Sequence, residues 1–161
     1  MKPNPSEASV MRVYLVQHAD ALPADADPAR PLSPTGVRQA DGAARFLVSL
    51  SVRPDRIVHS GKERARHTAE IIATALGCAS VEPRAGIDPN DDPAPIAEEL
   101  IAATDSPMIV GHMPFLRRLA NALLGTGALD PIDFDNASPL VLIRDGGRFR
   151  IEAYAKNAII A

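Results

Sequence analysis

Three histidines in this chain stand where an apolar run gives out. His18 follows Val13-Tyr14-Leu15-Val16-Gln17, His59 closes Arg56-Ile57-Val58, and His112 follows Pro107-Met108-Ile109-Val110-Gly111. Short runs rich in valine and isoleucine read as buried strands. If the strands are parallel in one sheet, their ends share the edge outside which α/β proteins bind ligands. Arg64, one turn into the segment after the second strand, points toward the same edge. Two histidines and an arginine beside helix N-termini suit a phosphoryl group. Arginine offers a planar fork to phosphate oxygens, helix ends add N–H donors, and histidine serves as nucleophile or proton carrier. A metal site is not expected, because no close-spaced ligand pair such as H-E-x-x-H occurs and the single cysteine, Cys78, is remote. No glycine-rich nucleotide loop is present, and no cofactor is expected.

The elements that must position these residues alternate. After the first strand, residues 19–32 form a loop rich in Pro and Asp that ends in Arg30-Pro31-Leu32. Ser33-Pro34 is a helix start, with an N-cap hydroxyl and proline at the first helical position. That helix is predicted over 34–50, with Val37, Ala40, Ala44, Leu47 and Val48 on one face. A strand over 56–60 precedes a helix over 62–76 that stops at Gly77. A short strand at 80–83, a loop over 84–95 and a short helix at 96–103 lead to the strand 107–111. Pro114 opens a further helix through Leu124, a loop occupies 125–136, and a hairpin of 140–144 and 148–154 turns at Asp145-Gly146-Gly147. The expectation is an α/β single-domain three-layer sandwich. Its central sheet is mostly parallel, with helices on both faces and an antiparallel edge strand.

Composition sets the bounds. The chain has 161 residues, 46% apolar and 23% charged, enough for one domain with its own core. A net charge of −3 gives no overall attraction to nucleic acid or to an anionic membrane. No apolar run reaches the roughly 18 residues of a membrane span. Residues 1–10 are too polar for a signal peptide and are expected to form a disordered arm before a domain over 11–161, with Met11 an alternative start to Met1. A lone cysteine agrees with a reducing compartment, so a cytoplasmic location is expected.

The same residues resemble a known family. Val16-Gln17-His18-Ala19-Asp20, Arg30-Pro31-Leu32-Ser33-Pro34-Thr35-Gly36, Ser60 through Arg64 to Thr68, and Val110-Gly111-His112-Met113-Pro114 are similar to the ordered landmarks of the histidine phosphatase superfamily. Within it the likeness is to the short SixA-type phosphohistidine phosphatases, and it spans about residues 11–155. The resemblance implies a phosphoglycerate mutase-like fold and a metal-independent phosphatase. His18 matches the nucleophile that forms a covalent phosphohistidine, Arg64 an arginine that grips phosphoryl oxygens, and His112 a second histidine that stabilises the transferring group. Attack requires a neutral His18, and a backbone carbonyl accepting from its other ring nitrogen would fix that tautomer.

At position 17 the chain departs from the family, which usually has arginine before the nucleophile. Glutamine gives only neutral hydrogen bonds, and losing a charge-assisted one costs roughly 1.5–3 kcal/mol, on the order of 10- to 100-fold in rate. Arg30, Lys62, Arg66 or a protonated His59 are candidates for the missing charge. Gln17 and Arg30 therefore join Arg64 as expected phosphate-binding residues. His59 and His67 otherwise read as structural or peripheral. Asp92, in Asp88-Pro89-Asn90-Asp91-Asp92, is either an acid near the leaving group or part of a solvated turn, and Asp20 either orients the site or caps its loop. The expected substrate is phosphohistidine in a partner protein. The alternatives are a small phosphate ester and, in a different class, a catalytically weak module that binds phosphate or a phosphoprotein. The sequence does not address oligomeric state.

Overall fold

Apolar alternation along the strands decides the layers. In the computed structural model, which describes residues 10–125 and 134–157, the elements are β1 (Arg12–Gln17), α1 (Pro34–Ser49), β2 (Arg56–His59), α2 (Glu63–Leu76), β3 (Val81–Pro83), α3 (Ala94–Ala102), β4 (Pro107–Gly111), α4 (Phe115–Leu124), β5 (Pro139–Asp145) and β6 (Arg148–Tyr154). Residues 1–9 of the expected N-terminal arm and 126–133 of the expected loop lie outside the described residues.

The six strands form one sheet in the order β3-β2-β4-β1-β5-β6. β2 is parallel to β3 and to β4, and β4 to β1, while β5 and β6 continue antiparallel. Val13 and Leu15 face α3 and α4, packing with Leu100, Phe115, Leu116 and Leu119. Tyr14 and Val16 face α1 and α2, packing with Leu47, Ala69 and Ile72. Each fully buried leucine or isoleucine contributes ~1.5–3 kcal/mol. The result is the expected three-layer sandwich, and no described helix is long and apolar enough to cross a membrane.

The caps follow the sequence closely. Ser33 Oγ accepts from the Gly36 N–H at 3.0 Å and Pro34 opens α1. Gly77 closes α2 at φ +68°, in the left-handed region that glycine enters without steric cost. Val48 departs from its expected face and is exposed. The buried stripe of α1 runs through Ala40, Ala43, Ala44 and Leu47, and one further residue turns about 100° past it.

Candidate active site

Parallel β1, β4 and β2 deliver His18, His112 and Ser60 to one edge. Register makes the placement definite: Gln17 pairs with Gly111, His59 pairs with Val110, and the His18 N–H donates to the Gly111 carbonyl at 2.9 Å. The ring centroids of His18 and His112 are 5.1 Å apart, with the planes inclined by 53°.

His18 is held as a neutral ring. Its Nδ1 lies 2.7 Å from the Ala19 carbonyl. A carbonyl only accepts, so Nδ1 carries the proton and Nε2 keeps a lone pair. Ala19 is itself fixed, because its N–H donates to Thr68 Oγ1 at 3.0 Å, and that hydroxyl donates to the Arg64 carbonyl at 2.7 Å. Burial pushes the His18 pKa below the usual histidine value. The Ala19 carbonyl opposes this, and the charges of Arg64 and Arg30 add to it.

His112 is only 2% exposed, and its pKa falls to about 3, first through burial and then through His18, Arg64 and Lys62. Its Nε2 lies 2.6 Å from Ser60 Oγ, which also accepts from the Lys62 N–H at 3.4 Å. A Ser60 hydroxyl that donates to Nε2 places the His112 proton on Nδ1. Nδ1 is buried with no protein partner, and so is Nε of Arg64.

The cations divide into engaged and available. Arg30 sits at φ +49° with its Nε donating to the Leu22 carbonyl at 3.1 Å, and its charge acts on both His18 and Arg64. Lys62 Nζ is 3.8 Å from Asp88 Oδ1. Arg66 is committed elsewhere, to Glu63 and Glu70 on its own helix. His59 does not carry the missing charge. It is buried, its Nδ1 accepts from the Gly61 N–H at 3.1 Å, and burial pushes its pKa down, so it is neutral.

Gln17 is engaged by the 134–136 segment. Its amide lies 3.3 Å from the Asn136 side chain, and in the flipped orientation its nitrogen donates to the Phe134 and Asp135 carbonyls. Asp20 serves the loop: its carboxylate accepts from Ser33 Oγ at 2.5 Å, and its carbonyl accepts from the Ser33 N–H at 3.0 Å. A Cβ at Gly36 would stand 1.9 Å from the Asp20 carbonyl oxygen, so only glycine fits the close approach of α1. The Asp92 carboxylate is exposed and accepts from the Ala94 N–H at 3.0 Å at the start of α3. None of its described contacts joins it to the histidines. Two carboxylates act on the cluster, Asp20 on His18 and Asp88 on Arg64, and Asp88 also faces Lys62. A parallel β3 would have placed its following loop on this edge, and that was the available signal in the sequence.

Among the described residues no group of three or more His, Cys, Asp and Glu side chains is placed to hold a metal ion. What remains is a neutral ring nitrogen beside two unsatisfied buried nitrogens and the cations Arg64, Arg30 and Lys62, an arrangement whose chemistry suits an anionic group.

Comparisons with known proteins agree. The family model of the histidine phosphatase superfamily (branch 1) matches residues 13–88. The phosphohistidine phosphatase SixA of Escherichia coli K12 is 28% identical over 143 residues, covering 85% of this chain and 88% of that protein. The structure of the protein histidine phosphatase SixA complexed with tungstate superposes with a TM-score of 0.83 at 24% identity, over 94% of this chain and 100% of the other. A candidate phosphohistidine phosphatase SixA of Agrobacterium tumefaciens gives 0.77 at 28% identity, over 91% and 97%.

Proposed function

We propose that this chain, matched over residues 13–88 by the histidine phosphatase superfamily model and 28% identical to a phosphohistidine phosphatase, is a phosphatase of that superfamily that hydrolyses phosphohistidine on a partner protein through a phosphohistidine intermediate at His18. The observation that carries this reading is the pair of buried, unpartnered nitrogens, Arg64 Nε and His112 Nδ1, beside a histidine whose tautomer leaves Nε2 open. An unsatisfied buried donor costs ~1–3 kcal/mol. Two of them, on residues that both act electrostatically with His18, are groups that an acceptor arriving with the substrate would satisfy.

In the reaction so assigned, His18 Nε2 attacks phosphorus in line with the departing group. Arg64, Arg30 and His112 meet the three equatorial oxygens, where charge accumulates in the transition state. Because these donors are fixed before substrate arrives, no reorganisation is needed at the moment of transfer. Water then attacks the phosphorylated His18, releasing phosphate and regenerating the neutral ring. The positive charge comes from protein side chains, and we assign the reaction no metal. The choice of phosphohistidine as substrate draws on the similarity to proteins named as phosphohistidine phosphatases.

The test is rapid mixing with a phosphohistidine peptide, followed by trapping of labelled protein. Acid-labile, base-stable label is expected on the unaltered chain and none on His18→Ala. Equal labelling of both removes His18 as the nucleophile. An absence of turnover on the peptide, alongside turnover of an aryl phosphate, redirects the assignment to a phosphate ester.

A further inference from the structure

The two peptide units that follow His18 are held by different groups. The first, between His18 and Ala19, donates its N–H to Thr68 Oγ1 and accepts at its carbonyl from the Ala137 N–H at 3.3 Å. The second, between Ala19 and Asp20, carries the carbonyl that lies 2.7 Å from His18 Nδ1, and its N–H donates to Gln39 Oε1 at 2.9 Å. A trans peptide unit is planar, so its N–H and C=O point to opposite sides and turn together. A group that fixes this N–H therefore aims the carbonyl at the ring.

Gln39 reaches this unit from the face of α1 that meets the loop. Ser33, Gly36 and Gln39 follow one another at three-residue spacing along one side of the helix. The Ser33 N–H donates to the Asp20 carbonyl at 3.0 Å, and Gly36 makes its close approach to the same oxygen. The main chain of Gln39 is anchored as well. Asn157, only 4% exposed, donates from Nδ2 to the Gln39 carbonyl at 3.2 Å and to the Ala137 carbonyl at 3.3 Å. The end of β1 is thus tied to α1 through Gln39 and to the segment entering β5 through Ala137, with Asn157 bonded to both.

Resting on the reading of His18 as the nucleophile, we propose that Gln39 is a positioning residue for it: by holding the Asp20 N–H it keeps the Ala19 carbonyl on Nδ1, and so keeps the His18 proton off the nitrogen that attacks. With the carbonyl turned aside, the ring is free to carry its proton on Nε2, where no lone pair remains for phosphorus. Gln39 acts through the peptide and not on the phosphoryl group. Its loss therefore falls on the chemical step, because the phosphate contacts assigned to Arg64, Arg30 and His112 do not pass through this unit.

The unaltered chain, Gln39→Met and Gln39→Glu test this, through kcat and KM and through the nitrogen-15 shifts of His18 in the free protein. Methionine matches glutamine in length and helix propensity, and the Asn157 bond is to the main chain at position 39, so both variants retain it. Expected in Gln39→Met are a fraction of His18 protonated on Nε2 and a fall in kcat of about tenfold or more, with KM within about twofold. Gln39→Glu keeps an acceptor of the same reach and is expected to restore the Nδ1 tautomer and most of kcat. The acid limb of kcat/KM moves as well. The Ala19 carbonyl raises the His18 pKa, so its loss in Gln39→Met carries the limb to lower pH, and Gln39→Glu brings it back toward higher pH. The groups that face His18, namely Arg64, Arg30, Asp20 and the neutral His112, are retained throughout. An unchanged tautomer in Gln39→Met, or a loss of kcat that Gln39→Glu does not relieve, overturns the role of Gln39 and leaves the phosphatase reading standing. If the unaltered chain turns over neither a phosphohistidine peptide nor p-nitrophenyl phosphate, the phosphatase reading falls and the positioning of a nucleophile falls with it.

Discussion

Ser60 Oγ lies 2.6 Å from Nε2 of His112, and this contact leaves Nδ1 as the unpartnered nitrogen of the ring. On the proposed reading the Ser60 hydroxyl donates to Nε2, and Nδ1–H is the donor offered to a phosphoryl oxygen. Ser60→Ala removes that direction and leaves Nε2 buried without a partner. A loss of about 1–2 kcal/mol of transition-state stabilisation is expected, roughly 5- to 30-fold in kcat. Steady-state kinetics, with nitrogen-15 shifts of His112 to report its tautomer, check this; a variant with normal kcat and an unchanged tautomer would contradict it.

Thr68 plays the matching part for His18. It is fully buried and joins α2 to the backbone that fixes the His18 tautomer. Thr68→Val keeps the shape but leaves the Ala19 N–H unsatisfied, which costs ~1–3 kcal/mol of stability. Thr68→Ser restores the hydroxyl and should recover most of the loss. Urea denaturation at constant m-value reads the stability change, and a drop in kcat in Thr68→Val that is relieved in Thr68→Ser separates positioning from mere destabilisation.

Burial and neighbouring cations hold both active-site histidines below the ordinary value, and for His112 the pKa is about 3. Between about pH 3 and about pH 6.5 the unfolded chain binds a proton at this position that the native state does not. Stability is therefore expected to rise with pH across that window and to show no contribution from these rings above it. For activity, the acid limb of kcat/KM reports the free enzyme's nucleophile and is expected below the usual histidine value. In Arg64→Gln one cation that depresses His18 is gone, so the limb should move to higher pH. A limb that stays in place, or moves to lower pH, rejects this account of His18.

The parallel strand ends were legible from the sequence because short β-branched runs alternate with amphipathic segments, and a parallel sheet then forces His18, Ser60 and His112 onto one edge. The carbonyl that fixes the His18 tautomer was legible for the same reason, since a strand end leaves main-chain groups unpaired. Two placements were not. Asp88, Asp91 and Asp92 are the same residue type in one loop, and their division of labour depends on Ile87 being the loop's buried anchor. The direction of Gln17 depends on residues 117 to 119 positions away. Local patterning contains neither contact.

That direction of Gln17 governs the last prediction. Because its amide is occupied by the 134–136 segment, the question left by the absent arginine is which cation acts in its place, and the placements separate the candidates. Arg66 is tied to Glu63 and Glu70, and His59 is neutral, whereas Arg30 acts on both His18 and Arg64 from the opposite loop. Arg30→Ala is expected to lower kcat/KM by roughly 10- to 100-fold, the size of a lost charge-assisted contact. Arg66→Ala should lie within about twofold of the unaltered chain, because exposed ion pairs contribute little. Gln17→Arg should give little gain while Arg30 is present and a partial rescue in the Arg30→Ala background. A double-mutant cycle over positions 17 and 30 reads that coupling directly. If Gln17→Arg raises activity equally in both backgrounds, the two positions act independently, and Arg30 is not the substitute for the missing arginine.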